Sequence, residues 1–156
     1  MTGKILIAYY SHSGNTEKIA RIISQKTSGT LYKIEPETPY PRDYNTVVEQ
    51  AKKEIKAGFK PEIINEIDNI GKYETLFIGS PNWWSTIAPP IAAFLGNNDL
   101  SGKIIIPFYT HGGGGGGNIE RDIAKLCPKS KVLPGLSVYG TSGTDTQITA
   151  WLQNMN

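Results

Sequence analysis

The feature that most constrains this fold is an alternation of nearly continuous apolar runs with segments whose apolar residues recur at helical spacing. Ile5–Tyr10 (ILIAYY), Leu76–Gly79 (LFIG) and Ile104–Tyr109 (IIIPFY) contain almost no polar positions. A strand with one wet face alternates, whereas a strand covered on both faces reads as a continuous apolar run. Leu31–Ile34 and Val132–Val138 complete five predicted strands. Between them lie five stripes with i, i+3, i+4 spacing: Ile19, Ile22 and Ile23; Tyr44, Val47, Val48, Ala51 and Ile55; Ile91, Phe94 and Leu95; Ile119 and Ile123; Ile148, Trp151 and Leu152. Each would bury one face of a helix. Five βα units predict an α/β three-layer sandwich, a parallel sheet with helices on both faces and right-handed crossovers. Pro107 conflicts with the fourth strand because its missing N–H would delete a ladder bond, so it is expected near that strand's end. No linker, repeat or low-complexity stretch interrupts the pattern, which predicts one domain over residues 1–156.

The cysteine count and the charge narrow the setting. Cys127 is the only cysteine, so no internal disulfide can form and the chain reads as cytoplasmic. Cys127 closes the fourth helix ahead of Pro128 and reads as a small buried apolar residue, not a redox centre. The first residues resemble a strand more than a signal peptide. No apolar stretch approaches the roughly 20 residues that cross a bilayer. The 16 basic and 14 acidic residues are scattered, and their net charge of +2 makes no continuous basic surface for nucleic acid.

Open α/β sheets bind ligands beyond the carboxyl ends of their strands, so the loops leaving strands one, three and four carry the functional expectation. The first is Ser11-His12-Ser13-Gly14-Asn15-Thr16. Free amides and the positive end of a helix dipole make such a turn an anion site. Ser11, Ser13 and Thr16 add hydroxyl donors, and Gly14 permits a positive φ. The loop has no Lys or Arg, which suits a phosphomonoester that is held and not transferred. Plain helix capping is the competing reading for Ser and Thr before a helix; the density of hydroxyls favours phosphate. His12 is expected to contribute its backbone more than its ring.

This loop resembles the hydroxyl-rich phosphate turn of flavodoxins. Ser80-Pro81-Asn82-Trp83-Trp84-Ser85-Thr86 is similar to the P-x-W-W-x-T segment of a short flavodoxin-like family, and Thr110-His111-Gly112-Gly113 to its T-H-G-G element. Glu35-Pro36 and Tyr40-Pro41-Arg42-Asp43-Tyr44 match the segment after the second strand. The resemblance covers essentially the whole chain. It implies a five-stranded parallel sheet in the order 2-1-3-4-5, with FMN as cofactor. It also implies that Ser11–Thr16 hold the phosphate while Pro81, Asn82, Trp83, Trp84, Ser85, Thr110, His111, Gly112 and Gly113 surround the ring. An isoalloxazine needs an apolar wall and a few polar contacts at its edge, and indole can supply that wall. Alternating sides of an extended segment cannot both face one ring, so one tryptophan should stack and the other pack inward. The family commonly has glycine where Ser85 stands, and a non-glycine there makes a redox-linked peptide flip costlier, disfavouring a strongly stabilised one-electron intermediate.

Other readings fit the residues less well. Gly112–Gly117 contains G-x-G-x-x-G trivially, yet no Asp or Glu occurs from Ile123 to Thr144 to hold a ribose, and the run follows the fourth strand instead of the first. A backbone surface open to a flat ligand is preferred over a merely flexible tip. A phosphoacceptor domain needs an aspartate where Ser80 stands and acidic partners where Tyr10 and Ser11 stand. A structural or partner-binding module leaves the three loops unexplained. Two flavin-based readings stay open. One is an FMN-dependent reductase of quinone-like acceptors, drawing on NADH or NADPH; the other is a one-electron carrier for a protein partner. A homodimer partner is compatible with either. Carriers of the family are usually markedly acidic, which this chain is not. His111 lies where it could touch flavin or substrate.

Overall fold

Leu6 and Ile7 are neighbours in sequence and fully buried on opposite sides of one sheet, which is why their run carries no polar positions. A computed structural model describes residues 3–64, 67–113, 115–139 and 144–155. The elements run β1 (Lys4–Tyr9), α1 (Asn15–Thr27), β2 (Thr30–Lys33), α2 (Tyr44–Ala57), a 3-10 turn (Ile70–Lys72), β3 (Tyr73–Pro81), α3 (Pro89–Asn97), β4 (Ile104–His111), α4 (Ile119–Leu126), β5 (Lys131–Val132), β6 (Leu136–Tyr139) and α5 (Thr144–Asn154). All strand pairs are parallel, in the order β2-β1-β3-β4, with β5 and then β6 filling the fifth position beside β4. This is the three-layer arrangement and the 2-1-3-4-5 order that the resemblance implies.

One apolar layer joins Leu6, Ala8, Leu76, Ile78 and Ile105 to Val47, Ile91, Phe94 and Ile123 of α2, α3 and α4. The other joins Ile7, Phe77, Ile106 and Phe108 to Ile19, Ile23, Ile148 and Leu152 of α1 and α5. Cys127 is buried at the end of α4, and burial pushes its thiol up to about 11. It is an inert packing residue. No helix among the described residues is long and apolar enough to cross a membrane.

Two expectations need correction. Pro107 sits in the middle of β4, paired with Ile78 of β3, and not near the strand's end. The fifth strand absorbs the defect: predicted as one run over Val132–Val138, it breaks at Leu133-Pro134-Gly135 into β5 and β6. The Leu133 amide donates to the Ile105 carbonyl. Residues two apart in a strand point the same way, so Pro107 turns its missing N–H toward this break, where Pro134 likewise has none. Tyr44, read as part of the buried α2 stripe, is 77% exposed, and of that stripe only Val47 and Ala51 are buried. Tyr44 and Val48 of this stripe are left over the carboxyl ends of the strands.

Candidate functional site

The first loop leaves β1 and enters α1 through Gly14, whose φ of 96° is the left-handed conformation glycine adopts without strain. No side chain caps α1. The Ser11 Oγ instead accepts from the Gly14 amide at 3.1 Å, one residue before the helix. The expected competitor, hydroxyls spent on capping, is therefore not what forms. Among the described residues the amides of the first turn keep no side-chain acceptor, and with the helix dipole they favour an anion. The side chains of Ser13 and Asn15 are exposed and make no hydrogen bond to the described residues. Thr16 is buried beneath them, its Oγ1 2.9 Å from the Oγ1 of Thr110. His12 bonds through Nε2 to the Pro41 carbonyl at 2.7 Å, tying the loop to the segment before α2.

The second loop is a tight reversal. Trp83 and Thr86 exchange backbone hydrogen bonds of 3.0 and 3.1 Å, with Trp84 and Ser85 between them at φ 55° and 66°. Two central residues at positive φ are the requirement of a type I′ turn, which normally takes Asn or Gly. Placing Trp and Ser there costs on the order of 1–3 kcal/mol each. The loop after β4 helps hold the turn: the Asn118 amide donates to the Ser85 carbonyl at 2.7 Å. Gly117 lies so close that a Cβ would fall 2.7 Å from the Ser85 backbone. Part of the glycine run is thus used to pack loop on loop, where the sequence suggested a surface for a ligand. Gly112 has open space beside it. Asn82 joins the two loops further, its amide donating to the Thr110 carbonyl and its Nδ2 to the Gly115 carbonyl.

Between the three loops and α2 lies a cleft of about 490 Å³, within the 300–1,000 Å³ typical of small-molecule sites. His12, Ser13, Asn15, Pro81, Asn82, Trp83, Trp84, Thr110, His111 and Gly112 line it. Ser11 and Gly14 line the adjoining cleft over β2. Three residues expected at the site, Thr16, Ser85 and Gly113, line neither cleft. Sequence reasoning missed the fourth wall, formed by Tyr44, Val47, Val48 and Ala51 of α2. The available signal was a stripe on α2 wider than the core needed.

The two tryptophans separate. Trp83 is half-buried and packs edgewise among Tyr10, Tyr40 and His12, with centroids 5.1–5.8 Å away and planes 72–80° apart. Trp84 is 49% exposed; its Nε1–H donates to the Val48 carbonyl at 2.9 Å, and the Lys52 ammonium lies 5.2 Å from its ring centre. Behind Trp83, the Tyr40 hydroxyl donates to Glu54 at 2.5 Å. Burial first, and then this carboxylate, raises the Tyr40 phenol far above its ordinary value, and burial does the same for Tyr10. These groups remain hydrogen-bond donors under ordinary conditions.

A family model described as Flavodoxin matches residues 4–155. The chain belongs to the flavodoxin family. Among solved structures, this flavodoxin-family chain is similar to a candidate flavoprotein from Bacteroides eggerthii, 32% identical over 98% of both chains with a TM-score of 0.88. A flavoprotein from Lactobacillus acidophilus crystallised in complex with FMN has 23% identity over 97% of this chain and 99% of that one, with a TM-score of 0.79. Oxidised Flavodoxin 2 from Bacillus cereus shares the fold at a TM-score of 0.60 and 20% identity, over 95% of this chain and 94% of that one. No curated protein matches the chain.

Proposed function

We propose that the cleft binds FMN and that the protein is an FMN-dependent oxidoreductase acting on small quinone-like acceptors. The observation that carries this reading is the uncapped amino end of α1 opening into a cleft walled by Trp83. The donor set fits the cofactor: amides and the Ser13 hydroxyl for a phosphate, an apolar wall for a flat ring, and backbone groups of the second and third loops for its polar edge. The complex of a similar flavoprotein with FMN supports the same choice.

Trp83 is the better candidate for the stacking wall. Three neighbouring rings brace it, and none lies parallel to it. Trp84 clasps the loop to α2 through Val48. Bound FMN supplies reversible one- and two-electron redox chemistry. The protein's share is to hold the phosphate without a cation, keep the phenols of Tyr10 and Tyr40 protonated behind the wall, and leave part of the cleft open. The third loop contributes Thr110, His111 and Gly112 to the cleft and, among the described residues, no Phe, Tyr or Trp side chain, so a second flat molecule has room to approach. The alternative, a one-electron carrier, draws support from the family itself.

The test is spectral and kinetic. The purified protein should bind FMN stoichiometrically and, once loaded, oxidise NADH or NADPH with a quinone as acceptor. FMN binding without any turnover, and with abundant one-electron-reduced flavin in a reductive titration, would make the carrier reading the correct one.

A further inference from the structure

The parallel pairing of β4 with β6 sets His111 opposite Tyr139. Their rings lie 5.5 Å apart at 44°, and Tyr139 is 68% exposed. His111 lines the cleft and Tyr139 does not, so the phenol ring backs the imidazole from outside. The Gly113 amide donates to the Nδ1 of His111 at 3.0 Å. An amide N–H needs a lone pair to donate to, so this bond selects the tautomer that carries its proton on Nε2. That Nε2–H has no partner among the described residues. The other histidine differs, because the Nε2 of His12 is already bonded to Pro41.

We propose that His111, held by Tyr139 and the Gly113 amide, recognises the electron acceptor by donating a hydrogen bond from Nε2 to a carbonyl oxygen of a flat, conjugated quinone in the cleft. The proposal rests on the FMN-oxidoreductase reading and names the acceptor class for it. A neutral imidazole donor suits a carbonyl oxygen that gains negative charge as it is reduced, since it offers a hydrogen bond without a fixed charge. Tyr139 is a positioning residue here: its ring lies against the imidazole and outside the lining of the cleft.

The experiment uses the FMN-loaded protein, photoreduced and then mixed rapidly with 1,4-benzoquinone or with ferricyanide, while flavin reoxidation is followed. Ferricyanide takes an electron without a carbonyl contact. The ratio of the quinone rate to the ferricyanide rate should fall about tenfold in His111→Leu, the size expected for one lost hydrogen bond. It should recover in part in His111→Gln, which can still donate. Tyr139→Leu should lower the ratio by a smaller factor, and Tyr139→Phe should keep it. Benzoquinone binding to the oxidised holoprotein, read from the flavin absorption bands, should weaken in the same order. Long-range proton–nitrogen spectra of the imidazole should show the Nε2–H tautomer. An unchanged ratio in His111→Leu, equal losses with both acceptors, or an Nδ1–H tautomer would each overturn the proposal. A wild-type holoprotein reoxidised by ferricyanide but not by quinone would also overturn it while leaving FMN binding intact. Failure to load FMN at all would instead remove the reading beneath it.

Discussion

The hydroxyl of Thr16 lies 2.9 Å from that of Thr110, across 94 residues of sequence. One belongs to the first turn of α1 and the other to the end of β4, and both are buried. The bond fastens the amino end of α1 to the carboxyl end of β4. Thr16→Val should leave the Thr110 hydroxyl without its partner and destabilise the apoprotein by about 1–3 kcal/mol. Urea unfolding of the apoprotein measures this, and an unchanged midpoint would show that the pair carries no stability.

The open first turn of α1 predicts that phosphate supplies much of the flavin affinity. Riboflavin, which lacks it, should bind far more weakly than FMN. Ser13→Ala should cost about 1.5–3 kcal/mol in FMN affinity, as for a hydrogen bond to a charged group, and should leave riboflavin unaffected. Fluorescence titration with both ligands checks this; equal affinities for the two would contradict the assignment of the loop.

Trp83 and Trp84 should respond differently to truncation. Trp83→Ala should weaken FMN by about 1–3 kcal/mol through lost ring contact and apolar burial, and should shift the flavin spectrum. Trp84→Ala removes one hydrogen bond to Val48 and should have the smaller effect on the spectrum. The reverse order would transfer the stacking role to Trp84.

The turn at Trp84-Ser85 stores strain that glycine would release. Ser85→Gly should stabilise the protein by on the order of 1 kcal/mol, because φ 66° is free for glycine. Gly117→Ala should do the opposite, placing a methyl group against the Ser85 backbone at a residue whose φ is 53°. Thermal melts of the two variants should move in opposite directions.

Buried phenols predict loss of stability in alkali. Tyr9 is pushed up to about 12 by burial and by Glu17, and Tyr10, Tyr40 and Tyr109 are raised as well. Because the folded state holds these protons more tightly, their stabilisation is complete below the ordinary tyrosine value of 10.0. It is lost as pH rises from there through the raised values. Urea midpoints should therefore decline above about pH 10, with phenolate absorbance appearing late and together with unfolding. Early phenolate absorbance from these tyrosines in the folded protein would contradict the assignment.

The amino-acid sequence alone determined the layer order of this protein. Strands buried on both faces must be apolar throughout, so Ile5–Tyr10, Leu76–Gly79 and Ile104–Tyr109 declare themselves without tertiary information. Stripes such as Ile19, Ile22 and Ile23 show where helices cover them. The three loops that line the cleft were legible for a related reason, since each directly follows a strand and concentrates residue types that a plain connection does not need.

What the tertiary structure decided are the relations between segments far apart in the chain. Pro107 is tolerated in mid-strand because the neighbouring strand breaks opposite it, and no local pattern reports on a neighbour's register. Tyr44 and Val48 fit a core stripe by spacing, but only the placement of α2 over the strand ends turns them toward the cleft. The pairing of His111 with Tyr139 follows from the register of β4 with β6. Hydrophobic periodicity encodes which side of an element is buried, whereas partner and register emerge only when the elements pack together.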